Sequence, residues 1–186
     1  MDREKNRTMG LPKEEIYEKH SVTTLYIIDS LKKHVLLIKH KKLGVWLPPG
    51  GHITKGEKPH KAALREAIEE TVIRDVSFLN IVAGDLKLEA DEQRQLLVPL
   101  NEQQYLSHPT PFALVEELIP RTDREIEHVH IDHVYVAQVN FEQNVQISGD
   151  EALDFQWALL DTEVIEQLET FPNIKAILRR LKEIFS

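Results

Sequence analysis

The sequence contains no cysteine, which excludes disulfides, thiolate zinc sites and cysteine nucleophiles together and fits a cytoplasmic setting. Long apolar runs are also missing. Val35–Ile38 and Val134–Val139 are among the longest, far short of the roughly 20 residues a membrane-spanning helix needs. The first ten residues, MDREKNRTMG, are charged and carry no apolar stretch followed by small residues, so no secretory leader is expected. Basic residues are outnumbered, 23 against 31 acidic, and the formal charge of −8 disfavours polymeric DNA or RNA as a partner. A small acidic molecule is still a permitted partner, because a bound divalent cation inverts the local field. The sequence leaves room for a homodimer.

What is present is enough apolar material, 41% of 186 residues, for one domain with one core. Residues 1–20 read as a polar N-terminal extension, with a short helix over Lys13–His20 entered through Pro12. The domain proper is expected over residues 21–186. Val22–Asp29 and His34–His40 flank the polar Ser30–Lys33 as a hairpin, and further strand-like runs fall at Val76–Val82, Phe112–Ile119, His130–Val139 and Phe155–Leu159. Helical spacing appears over Pro59–Thr71, Thr162–Thr170 and Asn173–Ile184; in the last, Ile174, Ile177, Leu178, Leu181 and Phe185 form an apolar stripe. Strands interrupted by helices predict a mixed sheet held between helices, an α/β architecture.

The chemistry is concentrated around the helix over Pro59–Thr71. With Glu66 at zero on a helical wheel, Glu70 falls near +40° and Glu69 near −60°, whereas Ala63, Leu64, Ala67, Ile68 and Thr71 occupy roughly 60° to 200°. Three carboxylates therefore share one face, opposite an apolar arc of small residues. A run such as Arg-Glu-Ala-Ile-Glu-Glu is commonly a solvated face. Here, however, like charges at i and i+4 repel and no lysine one turn away offsets them. Hard divalent cations would, since Mg²⁺ prefers oxygen ligands.

Gly51, Glu57, Arg65-Glu66-Ala67-Ile68-Glu69-Glu70 and Ile73, preceded by Trp46-Leu47-Pro48-Pro49-Gly50, resemble the Nudix signature G-x5-E-x7-R-E-U-x-E-E-x-G-U, where U is aliphatic. One position departs: Val72 stands where the signature has its second glycine, a helix end that favours left-handed dihedrals. The resemblance implies a Nudix-type α/β/α sandwich and hydrolysis of a phosphoanhydride in a nucleoside diphosphate linked to another group. It implies Mg²⁺ or Mn²⁺ as cofactor and a small nucleotide-like substrate. It carries Glu66, Glu69 and Glu70 over as metal carboxylates, with the Gly50 carbonyl as an added ligand and Glu66 as first choice of general base. Arg65 is expected to orient a carboxylate such as Glu57 or Glu66, or to act as a plain i,i+4 partner of Glu69. Glu151 reads equally as a further metal acid from a later loop and as an exposed turn residue.

Other signals are weaker. His52 beside the glycines, Trp46 as a stacking face and Lys39 as a phosphate contact are candidate substrate residues, with core packing (Trp46) and a solvated hairpin end (Lys39) as the plainer readings. Phe112 and Tyr135 are weighed in the same way as Trp46. His128, His130 and Asp132 alternate and would share one strand face, a pattern that reads as pocket lining or core pairing more than as a zinc site. Substrate selection is expected in Lys87–Pro111. The alternative from another functional class is a non-catalytic Nudix domain that senses a nucleotide metabolite. Isopentenyl diphosphate isomerisation on the same fold uses a cysteine that this chain lacks.

Overall fold

A computed structural model describes residues 17–81, 108–122, 125–139, 144–147 and 151–186. Eight strands form one mixed sheet: β1 (Glu18–Ile28), β2 (His34–His40), β3 (Trp46–Leu47), β4 (Gly50–His52), β5 (Ser77–Phe78), β6 (Ala113–Ile119), β7 (His128–Gln138) and β8 (Ala152–Leu159). Among the described residues three helices accompany them: α1 (Pro59–Thr71), α2 (Thr162–Gln167) and α3 (Pro172–Phe185).

β1 and β7 run parallel through eleven paired positions, from Glu18↔His128 to Ile28↔Gln138. β6 lies antiparallel on the other side of β7. β1 leaves β2 after the hairpin, where only Ile28↔Val35 is paired, and its first half takes β4 as neighbour instead, with Val22↔His52 and Thr24↔Gly50. β2 turns to β8 and β3. The hairpin is fastened by Asp29, whose buried carboxylate accepts from the amides of Lys33 (2.7 Å) and His34 (2.9 Å).

Alternation along β1 and β2 divides the core into two halves, because successive strand side chains face opposite ways. Leu25, Ile27 and Leu36 pack with Ala63 and Ala67 of α1; the small alanines let this helix lie close on the sheet. Tyr26, Ile28, Val35 and Leu37 pack with Ile165 of α2 and with Ile174, Leu178 and Leu181 of α3. The sheet is thus covered on both faces, the α/β/α sandwich anticipated from the sequence. The apolar stripe of α3 is the cover it was expected to be. Phe112 and Tyr135 are buried core residues, and Trp46 packs on the core.

Three expectations need correction. Glu18–His20 do not belong to a helix: they extend β1, drawn into an extended conformation by pairing with His128–His130, and a polar segment gives little strand signal of its own. Lys13–Ile16 of that expected helix lie outside the described residues. The strand expected over Val76–Val82 is reduced to Ser77–Phe78, which pair with β7; the Leu79 amide also donates to the Val136 carbonyl at 2.9 Å, and Val82 lies outside the described residues. The first of the two C-terminal helical runs, Thr162–Thr170, stops as a helix at Gln167, where Leu168 turns extended (φ −60°, ψ 130°).

α1 has the bounds read from its periodicity, and its end explains the departure at Val72. Val72 takes the left-handed conformation, φ 63° and ψ 1°, and its amide still donates to the Ile68 carbonyl at 3.0 Å. The backbone keeps the helix end that glycine favours, with a β-branched residue forced into it. That conformation costs an L-residue on the order of 1–2 kcal/mol, offset in part by the surface Val72 covers and by glycine's greater unfolded-state freedom. Val72→Gly is therefore expected to stabilise the protein by about 0.5–1 kcal/mol and to raise the melting temperature by about 1–4 °C. Thermal unfolding of the two proteins measures this, and a lower melting temperature for the variant would contradict it.

Candidate active site

The strand–loop–helix unit from β4 to α1 assembles the site. The chain leaves β1's edge at His52, turns through residues 53–58 and enters α1 at Pro59, whose missing N–H costs nothing in a first helical turn. Packing of Ala63 and Ala67 against the sheet fixes the rotation of α1, so that Glu66 and Glu70 face the two glycines of β4.

Both glycines are required by close approach. A Cβ on Gly51 would stand 2.5 Å from Oε1 and 2.8 Å from Oε2 of Glu66, and one on Gly50 would stand 2.5 Å from the Thr23 carbonyl oxygen. The Gly50 amide donates to Glu70 Oε2 at 3.0 Å. The three carboxylates are graded in exposure: Glu70 is 6% exposed, the Glu66 side chain 14% and the Glu69 side chain 58%.

Arg65 holds this cluster together. Its Nε and Nη2 donate to Glu57 Oε1 (3.0 Å) and Oε2 (2.9 Å), a two-pronged pairing that the planar guanidinium favours. Nη1 donates to Glu66 Oε1 at 2.7 Å and to Glu69 Oε2 at 3.3 Å, and Nη2 also reaches the His52 carbonyl at 3.0 Å. Both readings of Arg65 are present at once, the orienting contacts being shorter than the i,i+4 contact. Glu57 accepts in addition from the amide (3.1 Å) and hydroxyl (2.8 Å) of Thr54.

The electrostatics follow from this arrangement. The Arg65 guanidinium, aided by Thr54, holds the Glu57 carboxyl down to about 2, and Arg65 is itself held more firmly protonated. Glu66 is raised above its usual range, first by burial and then by Glu69 and Glu151, against the opposing pull of Arg65. Glu70 is pushed up to about 8, chiefly by burial; the Gly50 amide opposes this, while Glu66, Glu151 and Glu69 add to it. Glu151 is therefore close enough to act on both acids. It is placed by its carbonyl, which accepts from the Lys41 amide at 2.7 Å and ties the start of β8 to the end of β2.

Such a cluster fits a hard divalent cation. The donors are all oxygens, they crowd on one side of two glycines, and the most buried of them carries its charge reluctantly unless a cation is added. Gly50 enters the described geometry through its amide. The structure thus brings Glu57, Arg65, Glu66, Glu69, Glu70 and Gly50 together, with Glu151 beside them.

Lys39 and Trp46 lie elsewhere. Lys39 Nζ pairs with Glu169 at 2.9 Å and sits 5.3 Å from the Trp46 ring centre, while the Trp46 backbone is tied to Glu169 and Thr170. Trp46 packs with the α3 half of the core, whereas Ala63 and Ala67 of α1 pack with the other half. Of Lys87–Pro111, where selectivity was expected, residues 87–107 lie outside the described residues.

Two features were not legible beforehand. His20, His52, His128 and His130 gather into one group, with His20 and His130 directly paired across β1 and β7. Nothing short of the strand register could have shown this. Asp132 is buried and raised to about 7, mainly by burial and further by Glu117; Thr24 Oγ1 donates to its Oδ2 at 2.7 Å. Its Oδ1 has no hydrogen-bond partner among the described residues.

Comparison with known proteins decides the family. The model of the NUDIX domain matches residues 18–181, nearly the whole chain. The chain belongs to the Nudix family. The expected Nudix hydrolase is thereby borne out at the level of family. The chain is 37% identical over 73 residues to the m7GpppN-mRNA hydrolase NUDT17 of Xenopus laevis, a match taking in 37% of this chain and 25% of that protein. It spans only about a quarter of that relative's length. Among solved structures, a NUDIX-family hydrolase from Clostridium perfringens is similar in fold, with a TM-score of 0.62 and 24% identity over 90% of this chain and 98% of the other. An Ap4A hydrolase from C. elegans is also similar, with a TM-score of 0.59 and 18% identity over 89% and 96% of the two chains.

The two glycines of this Nudix domain lend themselves to a paired test. Gly51→Ala is expected to push the Glu66 carboxylate aside with little loss of stability, since the clash is with the end of a side chain. Displacing that group by about 1 Å should lower kcat on the order of 100-fold. Gly50→Ala meets backbone and should cost about 1–3 kcal/mol of stability. Urea unfolding beside steady-state kinetics separates the two, and a Gly51→Ala protein with unchanged kcat would contradict the placement of Glu66.

Proposed function

We propose that the protein is a divalent-metal-dependent hydrolase of a phosphoanhydride in a nucleoside diphosphate linked to another group. The observation that carries this is the convergence of Glu66 and Glu70 on the Gly50-Gly51 loop, with Arg65 clamped between Glu57 and Glu66. Relatives named for m7GpppN-mRNA and for Ap4A point to nucleotide derivatives as the substrate class.

Glu66, Glu69 and Glu70 would hold Mg²⁺ or Mn²⁺, with the Gly50 carbonyl and Glu151 as further donors. When bound, the cation supplies positive charge for the phosphate oxygens and makes an attacking water more acidic. The residues do the remainder by positioning. Glu66, kept above its usual carboxylate range by burial and neighbouring acids, is suited to accept a proton from water near neutral pH. Arg65 fixes the Glu66 oxygen that it touches and leaves the other to act. Glu57 anchors Arg65 from behind, and its low pKa keeps that anchor charged at any working pH. His52, whose carbonyl accepts from Arg65, is a candidate substrate neighbour at the loop's edge. Lys39 pairs with Glu169 and Trp46 packs on the α3 half of the core, contacts that support the plainer reading of each.

Turnover across a panel of nucleotide derivatives, with and without Mg²⁺, tests this reading. The wild-type protein is expected to hydrolyse at least one member only when the ion is present, with Glu69→Gln and Glu70→Gln each lowering kcat by about 100-fold or more. Full rate in both variants, or a rate indifferent to chelator, would contradict it. Tight binding of a panel member without turnover would favour the sensing alternative.

A further inference from the structure

We propose that His20, His52 and His130 form a second metal site, for a borderline transition ion such as Zn²⁺, separate from the glutamate cluster. One nitrogen from each imidazole lies within 4.8 Å of the others. Around a tetrahedral zinc ion, nitrogens at about 2.0–2.1 Å from the metal stand roughly 3.3 Å apart. Ring rotations of about 1 Å would therefore close the triad on an ion.

The backbone builds this arrangement. His20 and His130 are partners in the parallel β1–β7 register, and His52 stands opposite Val22 on the other side of β1. In-register neighbours present their side chains on the same face of a sheet. All three imidazoles thus emerge from the face that carries Tyr26 and Ile28 towards α3. Three strands supply one ligand each, a precision that surface histidines on loops do not have.

The surroundings suit a cation. His128 Nε2 lies 3.0 Å from His130 Nε2, and its Nδ1 lies 2.8 Å from the Ile126 carbonyl oxygen, an acceptor only. That bond places a proton on His128 Nδ1 and turns its Nε2 towards His130. Glu18 Oε1 is 3.3 Å from His20 Nε2, the carboxylate partner that commonly orients a metal-bound imidazole. Burial, followed by the neighbouring imidazoles of His52, His128 and His20, pushes His130 down to about 4, leaving it neutral as a ligand must be. Four imidazoles crowd into this corner of the sheet.

The donor chemistry separates this site from the other one. Imidazole nitrogen suits zinc and its neighbours, whereas carboxylate oxygen suits Mg²⁺ and Mn²⁺. His52 links the two, its ring in the triad and its carbonyl on Arg65. An ion on the triad would pin β4 beside the carboxylate cluster. The proposal does not rest on the hydrolase reading.

The test uses the full chain, stripped of metal, with Zn²⁺ as probe and Co²⁺ as its spectroscopic substitute. It is run in a Glu69→Gln/Glu70→Gln background, which removes two of the carboxylates of the oxygen cluster, so that loss of signal in the histidine variants reports on the imidazoles. One Zn²⁺ per chain, and a visible Co²⁺ spectrum of imidazole ligation, are expected. His20→Gln and His130→Gln should weaken Zn²⁺ binding by at least about 100-fold, with circular dichroism reporting that each variant is folded. His52 is the exposed member of the triad, so His52→Gln carries the test if the other variants do not fold. Absence of stoichiometric Zn²⁺ in the glutamine background, or undiminished affinity in His52→Gln, would overturn the proposal.

Discussion

The arrangement depends on one constraint, the gathering of four carboxylates around a single guanidinium at the mouth of a two-glycine strand. Arg65 bonds to Glu57, Glu66 and Glu69 but not to Glu70. Glu70 is left with the Gly50 amide as its recorded donor while being almost removed from water. Burying a carboxylate on those terms is unfavourable unless it is neutralised. The site is therefore built with a deficit of positive charge, and that deficit is what a divalent ion would fill. Its geometry is set from behind: alanines bring α1 close to the sheet, the glycines allow Glu66 and Glu70 to reach the strand, and Glu57 keeps Arg65 from swinging away.

Local features of the site were legible in the sequence because they are helical. The 3.6-residue period places Glu66, Glu69 and Glu70 on one side and Ala63 and Ala67 on the other, and spacing alone sets the bounds of α1 at Pro59 and Thr71. The departure at Val72 could be located but not interpreted: only the dihedrals show that the left-handed turn survives a valine. Features made by pairing between distant segments were not legible. Glu151 comes near Glu66 and Glu70 because its carbonyl is tied to Lys41, across 110 residues of chain from that side of the sheet. The His20–His130 register, the extension of β1 through Glu18 and the capture of Lys39 by Glu169 belong to the same class. Periodicity says which face a residue takes but not which strand lies beside it.

One strand edge thus presents two kinds of donor. Gly50 and Gly51 meet oxygen ligands from α1, and His52, the next residue, turns its ring to imidazoles from β1 and β7. The three residues of β4 are too short a strand to be rigid alone; their position comes from pairing with β1 and from the bond between Arg65 and the His52 carbonyl. Precision at the site is borrowed from the long β1–β7 ladder, the most extensive pairing in the sheet. This is why a substitution in β4 is expected to act on chemistry and on stability through different contacts.

The central claim is that the carboxylates of α1 are held where they are in order to bind a hard cation. Electron paramagnetic resonance of Mn²⁺ titrated into the metal-free protein tests it without reference to any substrate. The wild-type protein should immobilise Mn²⁺, and Glu70→Gln should weaken that binding at least tenfold while the protein remains folded. Mn²⁺ binding that is absent from the wild type, or unchanged by Glu70→Gln, would contradict the account.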